Sequence, residues 1–502
     1  MLQASITTRR NAHTTTGKRN STRTSSFLTT MTTLLRPRRP ILYLCVCVTI
    51  AITGLTSLYS LSNADGESGW PPYVPVLGNT NLKLYNHYRN RQSNDSQKEF
   101  DPLDSSHYLV GELTPRFRDN IRNDTYYITS WANAGFTNQF ISLVNLLYLA
   151  TLSDRVPILP PFAPDHHISR NGGIITFGEI FNLTHLRKEL RMPVLEWKDI
   201  KDLPSSSASN PYDTRETEAI GCWSTREEAH TDPVRAFTHL EHLGLDPSYT
   251  RVPGWSRRTQ NERTESHVVF SQLAAAVYPR RPRGSPNEYP LMEASRRGKT
   301  SHRASPDERL TCFDTLYYAT SGAEIFEWRF GWSPAWNKVG RHVLFNEVLV
   351  DRSREYLRTA FGLEAGEEIP PFIAIHIRHG DFGQNCNLPG HCLSSVDSFE
   401  KAVKRVEGSL VTTKGVTIRH WLVSSDETDP AFWDAVSTLG WSFFDHEKER
   451  TLERFGEWLT PLVDMVAHSL AAGFVGTSDS TFSLVGGRRV EDWNDSVYEL
   501  VE

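Results

Sequence analysis

The segment Phe372–Arg378 reads FIAIHIR, an apolar run ending in an imidazole and a guanidinium. Side chains of a strand alternate between faces, so Phe372, Ala374, His376 and Arg378 share one face and Ile373, Ile375 and Ile377 the other. Burying an unpaired guanidinium is very unfavourable, so Arg378 needs an anion. Phosphate matches its planar fork of donors. The competing reading is an internal ion pair, in which Asp381, in the turn His379-Gly380-Asp381, neutralises Arg378.

Two further segments have the makings of a phosphate site. Trp131–Gln139 (WANAGFTNQ) passes from a strand through a small-residue turn around Gly135 into a helix from about Asn138. Free amides at a helix N-terminus favour phosphate or pyrophosphate, and the side chains of Asn138 and Gln139 add donors there. Ordinary N-capping by Asn138 is the alternative. The last segment runs from Thr460 to Phe482. Thr460 suits an N-cap with Pro461 at the first helical position, which places Asp464 in the first turns. A short strand follows Gly473, and then TSDSTF (Thr477–Phe482), a hydroxyl-dense turn that either binds phosphate or caps the next helix.

Strands and helices must alternate to bring these segments together. Tyr126–Trp131 reads as a strand, Gln139–Leu152 as an apolar helix and Arg155–Leu159 as the next strand. Further on, strands fit Phe372–Arg378, Val416–Ser424, Trp441–Asp445 and Gly473–Gly476, with helical segments between them. This is an α/β pattern, and a cleft between two such halves would hold a ligand at the carboxyl ends of the strands. Ser205–Thr217 and Pro279–Glu308 interrupt the alternation as loops. The second is expected to be a disordered insertion, its Arg280, Arg281, Arg283, Arg296 and Arg297 more simply solvated than bound to an acidic partner.

The first forty residues carry eight Lys or Arg and no acid, and Ile41–Leu61 is a run of 21 uncharged residues. That length suits a membrane-spanning helix, which needs about 20 residues. With Arg38 and Arg39 before it and Asp65 and Glu67 after it, the positive-inside rule leaves the N-terminus in the cytosol and the rest in a lumen. A mitochondrial presequence, a cleaved signal peptide and a buried core helix fit the run's length or its flanks less well. Residues 1–40 are then a basic tail, 41–61 an anchor and 62–105 a stem, followed by one half over 106–350, insertion included, and a second, nucleotide-binding half over 351–502. Asn94, Asn123, Asn182 and Asn494 begin glycosylation sequons. Four cysteines follow the anchor: Cys386 and Cys392 form the nearer pair and Cys222 with Cys312 follows by elimination, four free thiols being the alternative. Beyond residue 61 there are 46 Lys and Arg against 59 Asp and Glu, a balance that excludes a basic face for nucleic acid.

Taken together, the segments resemble the motifs of the GDP-fucose protein O-fucosyltransferases, in particular a fungal, type II membrane member. Gly135, Phe136, Thr137 and Asn138 match a Gly-rich Phe-x-Asn motif, His376 and Arg378 a His-x-Arg strand end, and Asp464 with Thr481 and Phe482 an Asp followed by Ser/Thr-Phe. The resemblance implies a GT-B fold of two Rossmann-type halves, preceded here by a transmembrane helix. It also implies inverting transfer of fucose from GDP-fucose to a hydroxyl of a protein or glycan, without metal or other cofactor. His376, Ile377 and Arg378 would hold the diphosphate, Asp464 the guanine N1 and N2 donors, and Thr481 and Phe482 phosphate and base. Asn138 would lie beside the reacting carbon. A single-pass type II protein of the Golgi or endoplasmic reticulum follows. One branch of the family has a Glu as general base where this chain has Ala134, so no carboxylate base is inherited. An α-1,6-fucosyltransferase-like enzyme and an inactive lumenal lectin or scaffold of the same fold are the alternatives.

Overall fold

A computed structural model describes residues 102–203, 217–226, 236–258, 267–279, 297–380, 382 and 393–502. The anchor run Ile41–Leu61, nearly all of the stem, Asn94, Asp381, Cys386 and Cys392 lie outside the described residues. No described helix is long and apolar enough to cross a membrane.

The first half is built on six parallel strands: β1 (Tyr127–Ser130), β2 (Val156–Leu159), β3 (Leu195–Glu196), β4 (Glu218–Ser224), β5 (Leu245–Arg251) and, after the short β6 (Val268–Val269), β7 (Leu310–Phe313). Their order is β3-β2-β1-β7-β4-β5, while β6 pairs separately with β8 (Ala319–Thr320). The second half has five parallel strands: β9 (Phe372–Ile377), β10 (His420–Ser425), β11 (Ser442–Phe443), β12 (Gly473–Thr477) and β13 (Val497–Val501), in the order β11-β10-β9-β12-β13. Parallel sheets are covered on both faces, which is why their strands read as unbroken apolar runs.

β9 shows the rule at work: all six of its residues are buried. Ile373, Ile375 and Ile377 pack with Phe399 and Val403 of one core cluster, whereas Phe372 and Ala374 join Leu357, Val463 and Phe474 on the opposite face. The expected alternation therefore holds. The chain leaves β9 for β10 on one side and later returns as β12 on the other. The carboxyl ends of β9 and β12 thus flank a topological switch point, the place where such sheets bind ligands.

The helices that matter for the site are α1 (Phe136–Ser153), α2 (Glu347–Phe361), α3 (Val396–Lys414), α4 (Leu459–Leu470) and α5 (Thr481–Trp493). Asn346 and Ser395 cap α2 and α3 through their side chains, and Gly362 and Gly415, both at left-handed φ, end them. The expected half boundary at residue 350 falls within α2, which packs on α4 of the second half.

Several boundaries differ from expectation. α1 begins at Phe136 rather than Asn138, with Gly135 at the cap, and α4 begins at Leu459, so Thr460 is not its cap. β10 starts at His420 rather than Val416 because Gly415 terminates α3 there and the chain needs a connection. Part of the insertion expected to be disordered is fixed: Asp246 on β5 accepts hydrogen bonds from Lys299 N and Thr300 N, and Ser248 Oγ accepts one from Ala304 N. Backbone amides with buried acceptors are held in place, which composition alone does not reveal.

Cys222 on β4 and Cys312 on β7 form a disulfide between adjacent strands. Of the sequons, Asn123 is exposed, Asn182 caps a short helix by accepting from His185 N, and Asn494 Nδ2, the atom a glycan would occupy, donates to the carbonyls of Ser469 and Ala471.

Helix α5 also reaches into the first half. Its Arg489 is fully buried, none of its side-chain nitrogens has a hydrogen-bond partner, and Phe140, Phe181, Phe345 and Trp493 surround it with ring centroids 4.3–5.8 Å away. Burial lowers its pKa to about 9. Cation–π attraction, about 2 kcal/mol when desolvated, is the visible offset to its lost hydration. The cage pins the two halves against each other along α5.

Candidate active site

At the end of β9 the imidazole of His376 is buried, with Nδ1 2.7 Å from Ser483 Oγ and its ring 4.7 Å from that of Phe482. Burial, reinforced by the charges of His468, Arg378 and His167, holds its pKa well below the ordinary histidine value. Ser483 Oγ also accepts from Thr477 N. Donation of the Ser483 hydrogen to Nδ1 leaves Nε2 protonated, a neutral donor at the strand end. Ile377, placed between His376 and Arg378, turns its side chain into the core, so only its backbone faces this region.

Arg378 N donates to Thr477 Oγ1 at 2.8 Å, and its guanidinium pairs with Asp426, just beyond the end of β10. The same carboxylate accepts from His379 N at 2.9 Å. An ion pair is thus present, with Asp426 as the partner. Gly380, at φ +20, passes so close to the Asp426 carboxylate that a Cβ would collide with it. The arrangement aims the guanidinium beside its Phe382 neighbour, whose ring centroid lies 5.2 Å from Cζ.

Across the cleft, Gly135 gives α1 no side-chain cap; the Asn138 amide donates to Gly135 O at 3.0 Å, so the amides of Phe136 and Thr137 are the ones open to an anion. Ala134 before it has a left-handed φ of +64, and its N–H donates to Asp165 Oδ2 at 2.8 Å. Gln139 departs from expectation. It is buried, and its amide is consumed by Ala134 O, Ala163 O and Ala163 N, so it braces the turn instead of meeting a ligand. Phe136 packs against Phe162 and, from the second half, Trp458, with centroids 4.6 and 6.2 Å apart. Thr137 is buried.

The motifs converge. Thr481 Oγ1 donates to Asn138 Oδ1 at 2.8 Å, joining the α5 and α1 N-termini across the cleft. Phe482 packs tilted against His376 and edge-on against His468, which is fully buried, 2.7 Å through Nε2 from Ser424 Oγ and lowered to a pKa of about 4, chiefly by burial. Asp464 lies one turn before His468 on α4, with Oδ1 3.4 Å from His446 Nε2. In the TSDSTF turn, Ser480 caps α5, Thr477 braces Arg378, and Ser478 and Asp479 line a cavity of about 640 Å³ with Phe382, Ser394 and Arg329. That cavity shares Thr477 with the motif cluster but includes neither His376, Asn138 nor Asp464. Arg329 of the first half closes on Asp479 at 2.6 Å. Among the described residues no cluster of His, Cys, Asp or Glu is suited to hold a metal.

No family model matches the chain, and no curated protein matches it. Solved structures do overlap with it. The apo form of POFUT1 covers 76% of this chain and 99% of its own, at 14% identity and TM-score 0.46. POFUT1 in complex with GDP-fucose covers 76% and 98%, at 14% identity and TM-score 0.45. The fucosyltransferase NodZ from Bradyrhizobium covers 72% and 92%, at 12% identity and TM-score 0.34. These overlaps are shallow, and what the chain does has to be read from its own residues.

Asp426, Ser483, His468 and the Asp165–His167 loop were not anticipated from sequence. A faint signal existed for two of them: Asp426 follows an apolar strand, and His468 is four residues after Asp464, on the same helix face.

The buried imidazoles make a testable statement. His239, lowered to about 4, joins His376 and His468 in being held neutral by burial. Below pH of about 6.5 the unfolded chain takes up protons that the folded one refuses, so stability falls as the pH drops. The slope is up to about 1.4 kcal/mol per pH unit for each imidazole. Thermal melts should show a lower Tm at pH 5.5 than at pH 7.5. Equal values would mean that these rings are not held neutral.

Proposed function

We propose that this chain is a GT-B-type glycosyltransferase that moves fucose from GDP-fucose to a hydroxyl of a protein or glycan, with inversion and without metal. The observation that carries the proposal is the convergence of Asn138, His376, Arg378, Thr481 and Phe482 on one cleft, through the Thr481–Asn138 hydrogen bond, the His376–Phe482 ring contact and the Thr477 bridge to Arg378. Fixed donors aimed at a leaving diphosphate stabilise the charge that develops there. Arg378 supplies the cation, His376 Nε2 and the α1 amides neutral donors, and Asn138 Nδ2 a donor near the reacting carbon. Asp464 reads the base. In the cell the catalytic part faces a secretory lumen behind the Ile41–Leu61 anchor.

One observation favours a second reading, an inactive lectin or scaffold: the Asp426 carboxylate already holds Arg378. Calorimetry with GDP, UDP and ADP, paired with GDP release from GDP-fucose in EDTA, separates the two. The enzyme reading expects a preference for GDP and EDTA-resistant turnover. Turnover abolished by EDTA and restored by Mn²⁺ would reject the metal-free mechanism, and binding without turnover would favour the scaffold.

A further inference from the structure

An inverting displacement needs an acceptor for the proton of the incoming hydroxyl; on the second-half side of the cleft Arg378 is a cation and His376 a neutral group, while the Asp426 and Asp464 carboxylates are engaged by Arg378 and His446. The first half offers the loop after β2. There Asp165 accepts from Ala134 N through Oδ2 and from His166 N through Oδ1, both at 2.8 Å. The double grip holds His166 at φ +51, a left-handed conformation costly for a non-glycine residue. The turn it braces contains a second such residue, Ala134. Strain of this kind persists where its surroundings over-determine it, and it clusters at functional sites.

The position of the ring is informative. His166 Cδ2 lies 3.9 Å from where a Cβ on Gly135 would stand, at the start of α1 and one turn from Asn138. The residue is exposed, and its imidazole has no hydrogen-bond partner among the described residues; its ring neighbour is His167, 6.4 Å away. The loop is also strapped to the second half, because Glu457 accepts from Ser169 N and Oγ at 2.7 and 2.6 Å and Trp458 Nε1 donates to Gly173 O.

We propose that His166, oriented by Asp165, is the proton acceptor for the incoming hydroxyl; the inference rests on the transfer reading above. As the bond between the anomeric carbon and the β-phosphate oxygen breaks, its electron pair stays on the phosphate. The hydroxyl oxygen forms the new bond to that carbon, and its proton passes to the unprotonated ring nitrogen of His166. The imidazolium then releases that proton to bulk water through its exposed side. Asp165 is a positioning residue.

The test uses the full chain with GDP-fucose, water serving as the acceptor. Asn tolerates a left-handed φ, so His166→Asn keeps the backbone and removes the base. GDP release should fall at least about 100-fold, while calorimetric GDP affinity stays within about twofold. His166→Gly, also at ease there, should regain part of the lost rate when free imidazole is added. An Asn variant as fast as the wild type, or one whose GDP affinity falls as far as its rate, overturns the assignment. A Gly variant that imidazole does not rescue also counts against it. A wild type that binds no GDP defeats the transfer reading itself, and this inference with it.

Discussion

Arg378→Ala is expected to reduce GDP release from GDP-fucose by about 100- to 1000-fold, the usual cost of removing one preorganised charge stabiliser. It should weaken every nucleoside diphosphate alike, since a guanidinium contacts phosphate and not base. The substitution also strands the Asp426 carboxylate, which keeps His379 N but loses its cation. Leaving a partly buried charge unpaired is destabilising, so Tm should fall too. The double variant Arg378→Ala/Asp426→Ala separates the effects, because it removes the stranded charge and should recover Tm but not turnover. Recovery of turnover in the double variant would show that Arg378 serves the Asp426 pair and not the diphosphate. Arg378→Lys keeps the charge without the planar fork and should fall between wild type and Ala.

Asp464→Ala should weaken GDP binding by about one to two decades while leaving UDP and ADP unchanged. Guanine presents two adjacent donors, N1–H and the exocyclic amine, and an ionised carboxylate can accept both. Charge-assisted hydrogen bonds contribute roughly 1.5–3 kcal/mol, which is that span in affinity. His446 competes for the carboxylate, with Nε2 3.4 Å from Oδ1, a long contact that a better donor pair displaces. His446 is itself tied to Thr451, which Tyr356 holds at 2.7 Å, so His446→Ala should leave base preference intact. Equal wild-type affinity for GDP and UDP, or an Asp464→Ala variant that keeps its preference, would remove the guanine assignment.

Much of the scaffold was legible because the signals are local. β1, β9 and β12 appear within a residue or two of expectation, since buried parallel strands are short apolar runs between turn residues. The alternation of β9 placed Ile373, Ile375 and Ile377 in one core layer and turned His376 to the opposite face. The starts of α1 and α4 were read late because Asn138 and Thr460 look like caps, whereas Gly135 and Trp458 occupy those positions. Nothing in a single sequence says which of several plausible caps the tertiary contacts select.

What the sequence determined by itself is therefore the alternation of elements and three chemically loaded segments at strand ends and helix starts. The tertiary structure alone decided which groups face one another. It gave Arg378 the partner Asp426, 48 residues on, turned Gln139 inward, joined Thr481 to Asn138 across 343 residues, and seated Arg489 among rings from both halves. The physical reason is range. Propensity, periodicity and turn chemistry act over a few neighbouring residues, whereas the pairing of a charge or the choice of a donor's acceptor depends on which distant segments the sheet order places side by side.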